Sequence, residues 1–479
     1  MICGGVASAD FVLFRFSPSS KMGVVLEGNV DTSNNARLLT LRHEKYGEVI
    51  LPRDQCKIYK APDTRKKFKA QLKTAHKEEN VEQLWKLAKE SIRRGTAGNY
   101  FKAAEIIGDL DPDHNESARA RRLAALIDAE IPESKDEETE MLKAAKVNID
   151  MKFMRSPHYL LMQNLATQKR GSGAKTTRTE ERFEIMEKVY NAYFAFFWSR
   201  GYEMPVPKKR MHVVLFETEQ QFRDNSAQDE QAKPDNVVGY FDRLRNVSFF
   251  YEFRGSPMFR LIKKKSQELT DVGKERDVIN RGDFVRMGKA LNLLNEIMSE
   301  QQDISTGSHE VTHQLSHNSG LMPPIANFPR WAAEGFACYF ESPKDAQWSG
   351  IGAVNEEQLS AYREARRSNH AWCRIEQVVS NRVFFEAKSH DDAQNAYALS
   401  WGVTHFLMER HFDRLMKYYE KLGKLPAKGK FMGPDEHEKL FFSCFTSEQR
   451  NNLDRAWDAY MRGLRTDFEV VTDRKLFED

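Results

Sequence analysis

The sequence predicts an α+β protein with a small N-terminal β module, a helical hairpin, and a large domain that has a mixed sheet followed by a mostly helical C-terminal half. Three patterns support this: short alternating apolar runs, then apolar residues at helical spacing, then strands mixed with long helices. A chain of 479 residues is too long for one compact core. We place the domains at residues 10–60, 66–147 and 148–479.

The N-terminal domain is predicted from short runs of alternating apolar and polar residues. DFVLFRF, GVVLEGNV and ARLLTLRH lie between Asp10 and about Tyr59 and are separated by Gly, Asn and Pro. Alternation with these breakers is typical of short strands joined by hairpins. We therefore expect a small β domain.

The next region is predicted to be helical, because its apolar residues recur every three or four positions on both sides of RRGTAGN. These residues are Leu84, Leu87, Ala88, Ile92, Phe101, Ala104, Ile107 and Leu110. They predict one helical hairpin similar to a single tetratricopeptide unit. A repeat array needs about three copies, so a spacer or docking role is favoured. IPESKDEETE, residues 131–140, is the predicted linker.

The C-terminal domain begins with a mixture of strands and helices. HYLLMQ (158–163) and MHVVLF (211–216) are predicted to be buried strands, with an amphipathic helix at about 180–198 between them. VVGYFDRLRNVSFFYE (237–252) is predicted to be a hairpin.

One loop lies between a predicted strand and a predicted helix, as a phosphate-binding loop does, but it lacks the glycines of that motif. RGSGAKT, residues 170–176, follows a strand and precedes a helix, but Lys169 and Ala174 stand where that motif requires glycine. We therefore predict an ordinary surface loop.

The composition excludes several classes of protein. Lys and Arg number 73 against 70 Asp and Glu, and the basic residues are scattered, so nucleic acid is not an expected partner. No apolar run approaches the ~20 residues of a membrane span, so no integral membrane segment is expected. The five cysteines lie far apart without CxxC spacing, which argues against a thiolate zinc cluster or a dense disulfide framework.

The first residues have one feature of an export signal. VASA ends near residue 9 and resembles a cleavage site, but a basic region and an apolar core are missing. Residues 1–9 are therefore either the remnant of a secretory signal or an ordinary N-terminus. We expect a secreted or periplasmic protein, with a cytoplasmic one as the alternative.

HEVTH, residues 309–313, has the spacing of a metal-binding helix. His309 and His313 are one helical turn apart and project from the same face, while Glu310 is rotated by about 100°. Two imidazoles on one face can hold a divalent ion, and the carboxylate can move a proton for a hydrolytic reaction. We expect this helix to begin near Ser305 and to end at Gly320.

A third ligand must come from elsewhere in the chain. The extended motif HExxHxxGxxH is excluded because Ser316 and Ser319 stand at its Gly and His positions. His317 is interpreted as a helix-end residue. Glu334 stands 21 positions after His313, in a segment that begins at Pro329 and suits a buried helix.

Three motifs carry a resemblance to a known family. HEVTHQ, PRWAAEGFACYFE and YALSWGVTHFL (397–407) resemble the motifs of gluzincin zinc metallopeptidases, the peptidase-MA-like group that includes aminopeptidase N. Within that group, the chain resembles a set of bacterial, usually exported, proteins carrying HExTHQ, PxWxxEGxAxYFE and YAxxWxxxHFL. The resemblance covers roughly residues 150–425.

The resemblance implies a gluzincin-like catalytic domain and a role for each matching residue. His309, His313 and Glu334 would bind one Zn²⁺, and Glu310 would be the general base or acid. Tyr397 would stabilise the oxyanion, because a phenol is a neutral donor; a core tyrosine is the alternative. His405 is a weaker candidate for that role, since its neighbours suggest packing.

Some residues depart from the pattern of the family. No GxMEN stretch precedes HEVTH, so recognition of a free amino terminus is not supported and an endopeptidase is favoured. NVSFFYE, residues 246–252, could be the edge strand that pairs with a substrate, or an ordinary hairpin strand. Cys338 stands where a polar partner of a ligand is expected, and Glu341 could take that role from the next turn.

These observations predict a zinc-dependent peptidase whose partner is a peptide or protein substrate. Two alternatives remain: a catalytically degenerate binding or scaffold protein of the same fold, and a zinc hydrolase acting on a non-protein amide such as a cell-wall peptide. The oligomeric state is left open.

Overall fold

The chain is an α+β protein whose computed structural model describes residues 8–15, 23–31, 37–44, 47–62, 64–165, 177–227, 238–279, 281–323, 328–344, 347–425 and 432–473. Most of the possible signal remnant, residues 1–7, and the loop at 170–176 lie outside these ranges. Among the described helices, none is both long and apolar enough to cross a membrane.

The N-terminal module is an antiparallel sheet, as the alternating sequence predicts. Its strands are β1 (Ser8–Arg15), β2 (Gly23–Asp31), β3 (Leu38–His43), β4 (Gly47–Pro52) and β5 (Cys56–Pro62). They lie in the order β4-β3-β2-β1-β5. Alternate residues such as Val12 and Leu41 are buried against Leu294 and Ile297 of a later helix, so the sheet covers its apolar face with another part of the chain.

The following region is helical, but it holds more than the one predicted hairpin. Its helices are α1 (Thr64–Lys77), α2 (Val81–Arg93), α3 (Ala97–Leu110), α4 (Asn115–Ile127) and α5 (Lys135–Ala145). The predicted hairpin is α2 and α3. The linker predicted at 131–140 is wrong in its second half, because Ser134 caps α5 by accepting the Asp136 amide and Met141 is buried.

The second sheet is mixed and lies beside the region of HEVTH. Its strands and their connecting helices are β6 (Lys152–Arg155), β7 (Tyr159–Gln163), α6 (Arg178–Trp198), β8 (Met211–Phe216), α7 (Glu219–Ser226), β9 (Gly239–Asp242) and β10 (Val247–Tyr251). The order is β6-β7-β8-β10-β9, with β7, β8 and β10 parallel and the two outer strands antiparallel. Both predicted buried strands, the helix between them and the hairpin are confirmed.

The strand proposed as a substrate-pairing edge is an interior strand. β10 pairs with β8 on one side and with β9 on the other, so its backbone groups are already used. Its five residues are all buried, which reflects packing on both faces of the sheet. Within the described residues, β9 is the edge strand on this side.

HEVTH lies near the end of a much longer helix than expected. After α8 (Pro257–Val272), α9 runs from Arg281 to Asn318, which is about 57 Å for 38 residues. The predicted start near Ser305 is wrong, because the small polar residues do not cap a helix there. Ser308 instead donates to the Ile304 carbonyl within the helix. The predicted end is close, since Gly320 adopts a positive φ just beyond Asn318.

The rest of the chain is mostly helical, as predicted. It contains α10 (Arg330–Cys338), β11 (Pro343–Lys344), β12 (Gln347–Trp348), α11 (Glu356–Arg367), α12 (Ile375–Val379), α13 (Arg382–Phe385), α14 (His390–Arg410), α15 (Phe412–Gly423), α16 (Pro434–Phe442), α17 (Ser447–Gly463) and α18 (Asp467–Thr472). One hydrophobic core extends from α1 to α17. Arg93 of α2 pairs with Glu409 of α14, and the same carboxylate accepts the Tyr339 hydroxyl after α10.

Candidate metal centre

Three predicted ligands converge where α9 and α10 meet. His309 Nε2 lies 3.1 Å from His313 Nε2 and 3.2 Å from Glu334 Oε2, and His313 Nε2 lies 3.6 Å from that same oxygen. The histidines come from successive turns of α9, and the carboxylate comes from α10. Residues distant in sequence therefore present three donor atoms to one point.

The spacing of these atoms fits a metal ion. Donors about 2.0–2.1 Å from a tetrahedral ion are separated from each other by roughly 3.3 Å. The three measured separations lie on either side of that value. Each side chain keeps some exposure, with 11% for His309 and 17% for Glu334, so a fourth position is open to solvent. The group can hold a divalent ion and leave room for a small molecule.

The orientation of His309 is fixed from its other side. Its Nδ1 lies 2.7 Å from Glu341 Oε2, so Nδ1 donates to that carboxylate and Nε2 faces Glu334 and His313, where a bound metal ion would replace the Nε2 hydrogen. Asn355 and Gln358 donate to Glu341 in turn, which holds that carboxylate in place. Glu341 is therefore in hydrogen-bond contact with His309, as its predicted supporting role requires.

The electrostatics of the cluster favour a bound cation. Burial opposes a charged His309, but the charge of Glu341 and hydrogen bonds to Cys338 and both carboxylates outweigh it and raise the pKa of His309. Burial likewise opposes ionised Glu334, yet the hydrogen bonds from the two histidines lower its pKa well below the usual value. Carboxylates that stabilise a positive charge on the histidines also attract a metal ion, and protons and the metal ion compete for the same nitrogen atoms.

A second possible ligand group shares His309. It consists of His309, Cys338 and Glu341, on the Nδ1 side of the ring. The 2.7 Å separation of Nδ1 and Glu341 is a hydrogen-bond distance and is shorter than two ligands of one ion require. Burial also raises the pKa of the Cys338 thiol, which disfavours the thiolate that a metal needs. The group with His313 and Glu334 is the better metal site.

Glu310 follows the first histidine and is buried, with 8% of the residue exposed. Burial raises the pKa of its carboxyl group, and Glu334 and Glu341 add to that rise against the opposing His309 and His313. A rise in pKa makes the carboxyl group a better proton acceptor, which is the direction that a general base requires.

Tyr397 lies on α14 at the margin of the cluster. Burial raises the pKa of Tyr397, with a further contribution from Glu334, so the phenol is neutral. Its hydroxyl oxygen accepts a hydrogen bond from Arg330 Nη2 at 3.0 Å, which leaves the hydroxyl hydrogen free to donate elsewhere.

The other two histidines considered from the sequence are not part of the cluster. His317 lies one turn beyond His313 and packs edge-on against Phe241. His405 is buried, with Nδ1 2.7 Å from the Tyr460 hydroxyl and Nε2 3.1 Å from the Gly352 carbonyl. Both are structural residues in this arrangement.

The edge strand β9 runs beside α9. The Cβ of an alanine at Gly239 would come within 2.9 Å of Thr306, and Phe241 contacts His317. These contacts place the strand along the HEVTH segment. An edge that lacks a neighbouring strand in the described residues can pair with an extended peptide.

A cavity of about 400 Å³ lies on the opposite face of α9. Asp303, Ile304 and Gly307 line it from that helix, and arginines and glutamates of α6 and of the segment just after β10 face them. Its charges are already paired; for example, Arg182 lies 2.9 Å from Asp303. The cavity is therefore separate from the ligand cluster.

Arg330 is the main site residue that the sequence did not reveal. It stands four residues before Glu334, with Nε 3.7 Å from Glu334 Oε1. The i,i+4 spacing from a proposed ligand was a signal, but only the tertiary structure shows its contact with Tyr397.

Comparison with known proteins adds a partial family match. Residues 303–427 match the family described as "Protein of unknown function (DUF1570)". The match covers about a quarter of the chain and includes the predicted ligands, Glu310 and Tyr397. Among curated proteins, no significant match is found. The family description states no activity, so function has to be argued from the geometry.

Proposed function

We propose that this protein is a zinc-dependent peptidase of the gluzincin type. The observation that carries the proposal is the triangle formed by His309 Nε2, His313 Nε2 and Glu334 Oε2, with separations of 3.1–3.6 Å. Two imidazoles and one carboxylate, with a fourth position left open, form a donor set used by catalytic rather than structural zinc sites. Zinc bound there would polarise a carbonyl group and lower the pKa of water.

The residues of the chain supply the remaining steps. Glu310 takes the proton from the attacking water on its carboxylate and passes it to the leaving amine nitrogen. Tyr397 donates its hydroxyl hydrogen to the oxygen that becomes negatively charged. Glu341 keeps the Nε2 lone pair of His309 directed into the site. The edge of β9 orients the substrate backbone in extended form.

The proposal is tested by metal content and hydrolysis together. Protein purified with zinc should contain the metal in a stoichiometric amount and should cleave members of a mixed peptide library, as detected by mass spectrometry. Removal of zinc with a chelator should abolish cleavage, and added zinc should restore it. Glu310→Gln should keep the metal and lose about 10²–10⁴-fold in rate.

Glu296→Gln is the matched control, because Glu296 lies on the same helix away from the ligands and contacts Asn292. It should retain full activity. A zinc-loaded protein that cleaves no peptide in the library would refute the proposal and favour a binding or scaffold role. Cleavage that persists in Glu310→Gln would refute the mechanism.

A further inference from the structure

Arg330 is held next to the ligand cluster. It is the first residue of α10 and stands one turn before Glu334, a rise of about 6 Å along the helix. Its Nε is 3.7 Å from Glu334 Oε1, and its Nη2 donates to the Tyr397 hydroxyl at 3.0 Å. The guanidinium also lies over the ring of Phe384, at 4.8 Å from the centroid. These contacts fix the orientation of the charged group.

The guanidinium is nevertheless accessible. The side chain of Arg330 is 56% exposed, although three neighbours contact it. Its contacts use Nε and Nη2, and across the described ranges no protein acceptor is found for Nη1. An oriented arginine with free N–H groups is the usual form of a carboxylate-binding residue.

Stability accounts only weakly for a cation at this position, because the contact of the guanidinium with the Phe384 ring lies at an exposed site, where such contacts contribute little. A positive charge at a helix N-terminus opposes the helix dipole and is unfavourable for the helix. The ion pair of Arg330 with Glu334 has a long N–O distance and its arginine is half-exposed, and such pairs contribute little to the free energy of folding. A cation beside a metal ligand also repels the metal. The charge is therefore better explained by a negatively charged group that is present only when substrate binds.

Resting on the peptidase function proposed above, we propose that Arg330 binds the carboxyl terminus of the substrate. The Nε of Arg330 lies 3.7 Å from the Glu334 carboxylate, and an extended residue spans about 3.3–3.6 Å, so the guanidinium is within reach of a carboxylate one or two residues beyond the bond that is cleaved. The substrates are therefore peptides with a free C-terminal carboxylate, from which one or two residues are released. The endopeptidase prediction relied on a missing amino-terminal recognition motif, which has no bearing on the carboxyl end.

The test compares peptide acids with their C-terminal amides, which lack the negative charge. In the inactive Glu310→Gln protein loaded with zinc, N-acetylated tetrapeptide acids should bind about tenfold or more tightly than the matching amides in calorimetry. Arg330→Met in the same background should bind acid and amide equally weakly. In the active protein, mass spectrometry should show release of single residues or dipeptides from acids only.

Arg450→Met is the matched control. Arg450 is similarly exposed, at 53%, and lies 4.4 Å over the ring of Phe442 on a remote helix. It should keep the preference for acids. Equal binding of acids and amides by the Glu310→Gln protein would overturn the proposal. In the otherwise active protein, an Arg330→Met substitution that slows cleavage of acids and amides by the same factor would also overturn it, because Arg330 would then act only through Tyr397. Binding is measured without turnover, so a protein that hydrolyses nothing but prefers acids would refute the peptidase function alone.

Discussion

Glu341 Oε2 and His309 Nδ1 are 2.7 Å apart, although 32 residues separate them in sequence. This contact lies on the side of the imidazole away from Glu334, so it fixes the tautomer that the proposed metal site requires. The ligand cluster is therefore built from two layers: the donor atoms themselves and the carboxylate that orients one of them.

Glu341→Gln should weaken zinc binding by about 10- to 100-fold, because the amide cannot supply the charge that supports His309. The dissociation constant can be measured by competition with a chromophoric chelator. Glu357→Gln is the control, since Glu357 lies near Glu341 on the neighbouring helix without a described contact to His309. Equal zinc affinities for the two variants would show that Glu341 does not support the site.

His309→Ala and Glu334→Ala should each lose bound zinc, because two remaining donors hold the ion poorly. Metal analysis of the purified variants gives the result directly. His317→Ala should keep its zinc, since that ring packs on Phe241 outside the triangle. Full zinc content in Glu334→Ala would mean that another residue, such as Cys338, supplies the third ligand.

Tyr397→Phe should retain zinc and lose about 10²–10³-fold in kcat, with little change in KM, because its hydrogen bond forms only as charge develops. Steady-state kinetics on the best library peptide would show this. Tyr100→Phe removes the hydroxyl group of a buried tyrosine on α3, outside the ligand cluster, and should leave kcat unchanged. An unchanged kcat in Tyr397→Phe would reduce Tyr397 to a packing residue.

Gly335 lets α10 approach α14 closely. The Cβ of an alanine there would lie 2.5 Å from the Ser400 carbonyl oxygen and 2.4 Å from Thr404 Oγ1. Because Ser400 presents backbone rather than a movable side chain, Gly335→Ala should push α10 away and displace the adjacent Glu334. We expect weaker zinc binding and a lower Tm.

Gly307→Ala is the control for this substitution. It lies within α9, and the added Cβ would have nothing within 4 Å. Since alanine favours a helix over glycine by about 0.8–1.0 kcal/mol, this variant should be slightly more stable and should bind zinc normally. Similar behaviour of the two variants would argue against tight packing at Gly335.

Local patterns predicted much of this molecule. The spacing of His309, His313 and Glu334 anticipated the cluster. Alternation anticipated the N-terminal strands, and buried apolar runs and a hairpin pattern anticipated four of the five strands of the second sheet, all but β6. The start of α9 was missed because Ser305 and Ser308 look like capping residues, whereas Ser308 bonds within the helix. The identity of the edge strand depends on pairing between distant segments, and the contact of Arg330 with Tyr397 forms only when α10 and α14 pack together. Neither property has a local signal.

His405 gives a prediction about pH. Burial lowers its pKa to about 4, whereas an unfolded histidine has a pKa of about 6.5. As the pH falls below about 6.5, this histidine binds a proton in the unfolded chain but stays neutral in the folded chain. The free energy of unfolding therefore decreases between about pH 6.5 and pH 4. Replacing this histidine should remove part of that loss.

His405→Gln should therefore lose less stability than the original protein when the pH falls from 7.5 to 5, by about 2 kcal/mol in the free energy of unfolding. Urea titrations in the presence of a chelator measure this without a contribution from bound metal. His390→Gln, at the exposed start of the same helix, should show the original pH dependence. If His405→Gln lost as much stability as the original protein, His405 would have to be protonated in the fold, and its contacts with Tyr460 and the Gly352 carbonyl would need a different interpretation.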